Sequence, residues 1–271
     1  ELLYERGIYP QSTYIFKHAL TQEVAYESLL QQKRREIHGR VASALEEIYA
    51  DKVEHHCELL ARHWELSNCP DRSIAYLILA GEKSNSNQAA TAAVVFFTKA
   101  LNQIEKSDKP SELRVRMRIR AGRAVPLHSQ GKIEESLQDY EEALRLARTL
   151  GDQQMVLRCL TGIPVLIYNT TYKDRVPQYC EQGLEVARSL GDSGAESLIM
   201  SAYAYWQAVW NESDESATMQ RALELAVKSG QPLTQIRARW GLAHLERWFG
   251  NPQKSLDYLE EFLTKSRHTL S

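Results

Sequence analysis

The sequence predicts an all-α fold of stacked helical hairpins, and three observations predict it. Leu150-Gly151-Asp152 returns as Leu190-Gly191-Asp192, 40 residues on, and loosely as Ser229-Gly230-Gln231 after another 39. Small residues keep the same step upstream, at Gly122, Gly162, Ala202 and Gly241. A second series follows about 20 residues behind, at Ala143-Leu144, Gly183-Leu184, Ala222-Leu223 and Phe262-Leu263, with an earlier copy at Ala100-Leu101. A fixed period of this length is the mark of a repeat architecture. Two series at one period mean two packed helices per repeat, since a small side chain on one helix lets another approach and Ala-Leu fills the space between.

The turns agree with this. A Gly closing a helix takes the left-handed conformation, and Asp152 or Asp192 behind it can cap the next helix. Ser193 with Glu196 also fits a capping box. Pro126, Pro164 and Pro177 fall in or beside helices, where they kink or shorten them.

Taken in order, Leu2 to Arg6 and Thr13 to His18 are β-favouring runs separated by Gly7, Pro10 and Ser12, which fits a small hairpin. Thr21 caps a helix to about Gln31. Ile37, Val41, Ala42, Leu45 and Ile48 then form the apolar stripe of the next helix, leaving Lys33, Arg34, Arg35 and Arg40 mostly outside it. Glu54 to Leu66 reads as one more helix, ended by Asn68-Cys69-Pro70. Asp71 to Ser84 and Ala89 to Ile104 make the first repeat. A polar linker, Lys106 to Ser111, precedes four repeats near 112–150, 153–190, 193–229 and 232 to the last residue.

Hydrophobic content of 43% and charged content of 25% belong to an ordinary globular chain. A net charge of −2 gives no case for nucleic acid or an anionic membrane. No stretch approaches the roughly 20 apolar residues that cross a bilayer. The four cysteines, Cys57, Cys69, Cys159 and Cys180, form no CxxC pair, so reduced thiols in a cytoplasmic protein are expected.

At the small-residue and Ala-Leu positions the chain resembles the tetratricopeptide repeat. Gly122, Gly162, Ala202 and Gly241 stand at the small eighth position of that family's first helix, and Ser136, Tyr140 and Ala143 at its second-helix signature. The resemblance implies a right-handed superhelix. The chain departs from the family in its period of 39 to 40 against the usual 34 or so. Cys180 and Met219 replace an aromatic, Phe262 replaces an Ala, and Arg118, Arg158, Leu198 and Arg237 occupy the place of the first-helix Trp.

A second resemblance covers Tyr14 to Glu46. The pieces Phe16-Lys17-His18-Ala19-Leu20, Val24-Ala25-Tyr26, Leu29-Leu30 and Arg35 to His38 before Ala44-Leu45-Glu46 look like the segment that joins a winged-helix module to helical repeats in signal-transduction ATPases of the STAND type. That arrangement stands behind class III adenylate or guanylate cyclase domains and beside kinase or transcription-factor modules in bacteria. It implies a winged-helix remnant over 1–33, linking helices over 34–70 and about five repeats over 71–271, excised from a longer signalling polypeptide.

Catalysis has little support. Gly131-Lys132 lacks the spaced glycine and the following Ser or Thr of a phosphate loop. His55, His56, Cys57 and His63 are the one grouping with metal-ligand chemistry, and His56 and His63 stand two helical turns apart, too far to share an ion unaided. No nucleophile elbow or other catalytic setting occurs, and no cofactor or metal is expected. The concave wall is the expected binding surface: Arg116 and Arg123, Ile163 and Leu166, Glu196, Tyr203 and Trp206, then Leu242 and Leu245. An apolar, aromatic wall with a basic end suits a peptide, a protein or another domain of the same chain. A small-molecule pocket and a self-association surface are the rival readings.

Overall fold

A computed structural model describes residues 3–7, 13–104 and 110–269. The chain divides into two compact units, Glu1–Lys106 and Ser107–Ser271. Helices dominate both, and the strands are a single antiparallel hairpin of β1 (Leu3–Arg6) and β2 (Thr13–Phe16), pairing Leu3 with Phe16 and Arg6 with Thr13. Leu2 and much of the linker from Lys106 to Ser111 lie outside the described residues.

In the first unit the hairpin is followed by α1 (Ala19–Glu27), α2 (Gln31–Ile48), α3 (Cys57–Leu66), α4 (Pro70–Ser86) and α5 (Ala90–Ile104). Two expectations change here. Thr21 lies inside α1, whose N-cap is His18 with no side-chain cap. The single helix expected from Glu54 is split into a 3₁₀ segment, Ala50–His56, and α3, because His56 leaves helical geometry at φ −112° and ψ 12°. Glu46 of α2 ties three helices together by accepting from Trp64 Nε1 (3.0 Å), Tyr76 Oη (2.7 Å) and Arg72 Nη1 (2.6 Å). Burial pushes its carboxyl up, but these bonds from Tyr76, Arg72 and Trp64 outweigh it and hold the group below its usual range. Phe97 of α5 lies on Gly81 of α4, where an added Cβ would meet its ring at 2.8 Å.

The second unit holds four hairpins: α6 (Pro110–Ser129) with α7 (Ile133–Leu150), α8 (Gln153–Ile167) with α9 (Val176–Leu190), α10 (Ser193–Trp210) with α11 (Ser216–Ser229), and α12 (Pro232–Phe249) with α13 (Pro252–Thr269). Gly151, Gly191 and Gly230 close α7, α9 and α11 at φ of 67°, 67° and 70°, a left-handed cap that glycine takes without steric cost. Asp152 accepts from Met155 N–H at 3.0 Å and Asp192 from Ala195 N–H at 2.9 Å, so Asp192, not Ser193, caps α10. Glu196 turns away from a capping box to pair with Arg188.

The small residues act across repeat boundaries. A Cβ on Gly162 of α8 would meet Tyr140 Oη of the preceding α7 at 2.7 Å, and one on Gly241 of α12 would meet Met219 Cε of α11 at 2.7 Å. The core runs between the two helix layers and buries Leu160, Ile163, Ile167 and Ile199 completely. Asp139 of α7, only 1% exposed, takes Arg120 Nη1 at 2.8 Å and Arg123 Nε at 2.7 Å from α6.

Candidate binding groove

Within the second unit, α10 packs against both α8 and α12, whereas α7, α9 and α11 make no comparable approach to one another among the described residues. The array therefore bends toward its first helices. Two adjoining cavities open on that inner side, of about 480 and 450 Å³. Both have His128 of α6 and Arg237 of α12 on their walls, together with Val165 and Leu166 of α8. Repeats three apart in sequence thus face one another across one space.

The larger cavity has mixed walls, with Gln154, Arg158, Thr161, Gln231 and Arg237 beside Leu157, Val165 and Leu198. The smaller is aromatic, with Tyr168, Tyr205 and Trp240 above small residues at Ser201, Ala202 and Gly241. Helical spacing puts Leu198, Ser201, Ala202 and Tyr205 of α10 on one stripe, and all four line the groove. Tyr205 is the hub of its aromatic wall: its ring lies 5.5 Å from Tyr168, 5.6 Å from Trp240 and 5.7 Å from Trp248, and Trp240 lies tilted 4.2 Å from His244. The Tyr168 end is pinned because Trp210 Nε1 donates to the Tyr168 carbonyl at 2.8 Å, with Lys173 Nζ 3.3 Å over the Trp210 ring.

Burial lowers the pKa of His128, so it faces the groove as a neutral imidazole near pH 7. Burial does the same to His244, aided by Arg247. The Arg237 guanidinium is open to solvent yet walled in, and burial lowers its pKa against a smaller opposing pull from Tyr168. Among the described residues no carboxylate is paired with Arg158 or Arg237, and no group of three His, Cys, Asp or Glu side chains could hold a metal ion.

Of the residues expected on the concave wall, Leu166 lines both cavities. Ile163, Leu242 and Leu245 are core residues at 0–1% exposure, because the apolar stripe of each first helix turns into the layer beneath and not toward the groove. Arg123 is engaged by Asp139, and Arg116 is half-buried on α6 with its Nε unpartnered. Glu196 is held by Arg188 Nε at 2.7 Å. Tyr203 and Trp206 stack on each other, centroids 6.0 Å apart, against the core beside α9. Burial pushes the Tyr203 hydroxyl up, with Glu181, Cys180 and Glu215 adding to it. On α10 the groove is reached one position away, through Ala202 and Tyr205. The sequence carried a usable signal all the same: of the four residues at the place of the family's Trp, Arg158, Leu198 and Arg237 line the larger cavity and Arg118 does not.

No family model matches the chain. An uncharacterized protein of Rhizobium meliloti (strain 1021) is 27% identical over 142 residues, 51% of this chain and 14% of that relative, so the chain spans about a seventh of the relative's length. Among solved structures, aspartyl phosphate phosphatase F from Bacillus subtilis is similar with a TM-score of 0.59 and 13% identity, over 88% of this chain and 61% of that one. BtubC (BKLC) from P. vanneervenii is similar with a TM-score of 0.55 and 12% identity, over 90% and 94%. The fold is that of helical-repeat proteins of the tetratricopeptide type. No helix among the described residues is long and apolar enough to cross a membrane.

Proposed function

We propose that this chain is a non-catalytic interaction module that binds a peptide or protein along the inner groove of its second unit. One observation carries the reading. Tyr205, Trp240, His244 and Trp248 form a continuous aromatic band, with Trp240 38% and Trp248 46% exposed. Folding alone would bury such rings, and exposed Trp and Tyr clusters are the usual anchors of interfaces. The expected site is accordingly redrawn: Leu166 stays, Arg158, Tyr205, Arg237, Trp240 and Trp248 join it, and Tyr203 with Trp206 support it from behind.

The joining segment from Tyr14 to Glu46 and the much greater length of the R. meliloti relative support the finer reading. In it, the chain is the sensor region of a cytoplasmic STAND-type signalling protein, with 1–33 a winged-helix remnant, 34–70 linking helices and 71–271 repeats. The partner then biases the conformation of a neighbouring effector by binding one of its states better than the other.

The test is selection of a random peptide display library on the immobilised protein, repeated with Trp240→Ala/Trp248→Ala. Enrichment on the wild type that the folded double variant loses supports the reading. Absence of enrichment, or peptides held equally by both proteins, overturns it.

A further inference from the structure

We infer that the smaller, aromatic cavity is a binding site for a small organic anion with a flat apolar body, distinct in kind from the protein partner proposed above. Two independent features define the ligand. The first is charge: Arg237 stands on the wall shared by both cavities, Arg158 lines the adjoining one, and among the described residues neither has a carboxylate partner. Asp192, the carboxylate on the wall of the larger cavity, accepts from the N–H of Ala195. Both side chains are exposed, so either guanidinium can meet a carboxylate, sulfonate or phosphate arriving from outside.

The second feature is shape. Tyr205 and Trp240 present rings 5.6 Å apart and inclined by 34°, above the methyl of Ala202. A cavity of about 450 Å³ with such walls has the volume and lining of a small-molecule site and takes a planar body against its rings. The ligand thus sets its anionic group on Arg237 and its apolar plane against Tyr205 and Trp240.

Two probes sharing one ring system separate these terms: anilinonaphthalene sulfonate and its uncharged analogue N-phenylnaphthylamine, both followed by fluorescence on the full chain. The wild type is expected to bind each at a saturable site. Arg237→Gln is expected to weaken the sulfonate about tenfold, the scale of one charge-assisted contact, and to leave the uncharged probe unchanged. Trp240→Ala, with helicity checked, is expected to weaken both. The inference is overturned if the wild type binds neither probe, if Arg237→Gln moves both alike or neither, or if Trp240→Ala leaves both in place. None of these outcomes depends on whether peptides are enriched by the groove.

Discussion

Gly183 offers the sharpest test of how the repeats are packed. A Cβ at this position of α9 would come within 2.8 Å of Ile199 Cδ1 and 3.3 Å of Leu160 Cβ, and both of those residues are fully buried with nowhere to retreat. Overpacking by one methyl costs about 1–3 kcal/mol, while Ala for Gly within a helix returns about 1. Gly183→Ala is therefore expected to destabilise by a net ~0–2 kcal/mol, toward the upper end because both opposing side chains are fully buried. Ile199→Val removes the very methyl that clashes and alone costs about 0.5–1.5 kcal/mol. Together the two changes exchange one methyl for another across the same contact, so the double variant should be no less stable than Ile199→Val alone. Urea unfolding followed by far-UV circular dichroism measures all four corners of the cycle, comparing midpoints at constant slope. The reasoning is refuted if Gly183→Ala is more stable than the wild type, or if the single effects add within ~0.5 kcal/mol.

Other outcomes follow from the same geometry. Asp139→Ala removes the buried carboxylate that Arg120 and Arg123 share and should cost about 1.5–3 kcal/mol by the same unfolding assay. Removing either aspartate cap, by Asp152→Ala or Asp192→Ala, should cost about 1 kcal/mol each. His38 Nδ1 and His63 Nδ1 lie 3.0 Å apart, a contact that holds one proton and not two. Burial lowers the pKa of both, with His38 and Arg62 adding to the effect on His63 and Arg62 to that on His38. The unfolded chain therefore takes protons more readily, and the stability these residues contribute is full above pH 6.5 and lost as pH falls through their folded values. Melting temperatures of wild type and His63→Gln between neutral pH and pH ~5 should show a smaller fall for the variant. Burial pushes the Cys57 thiol to about 11 and those of Cys159 and Cys180 to about 12, so a thiol reagent at mildly alkaline pH should label half-buried Cys69 first in the native protein and all four thiols only on unfolding.

The hairpin array was readable because close packing writes itself into side-chain volumes. The second-helix series reads Ala143, Gly183, Ala222, and the residues at the matching step on the next helix read Cys159, Ile199, Ala238. Glycine falls where the opposing residue is largest. Phe262, the last member of the series, has its side chain outside the described residues. Turns were equally plain, because a left-handed Gly followed by a capping Asp leaves few alternatives. The groove was harder. Rotation of a helix by one residue about its axis, ~100°, separates Tyr203 from Ala202 and Trp206 from Tyr205, and the period of the repeat is blind to that rotation. What fixes it is the pairing of Gly162 with Tyr140 and Gly241 with Met219 across repeat boundaries, a contact between non-adjacent residues that periodicity alone does not orient. Thr21 and the segment from Glu54 went astray for a different reason: His18 and His56 take backbone angles that no local cap or proline announces.

His128 and Arg237, from the first and last hairpins of the second unit, share the walls of both cavities. An unclosed stack of repeats is a zipper, free to fray from either end because each unit leans only on its neighbours. Anything seated between these two residues would turn the zipper into a clasp. Amide protection at the two termini of the stack would then rise in step, and a molecule bound at the centre would be felt most strongly at the edges.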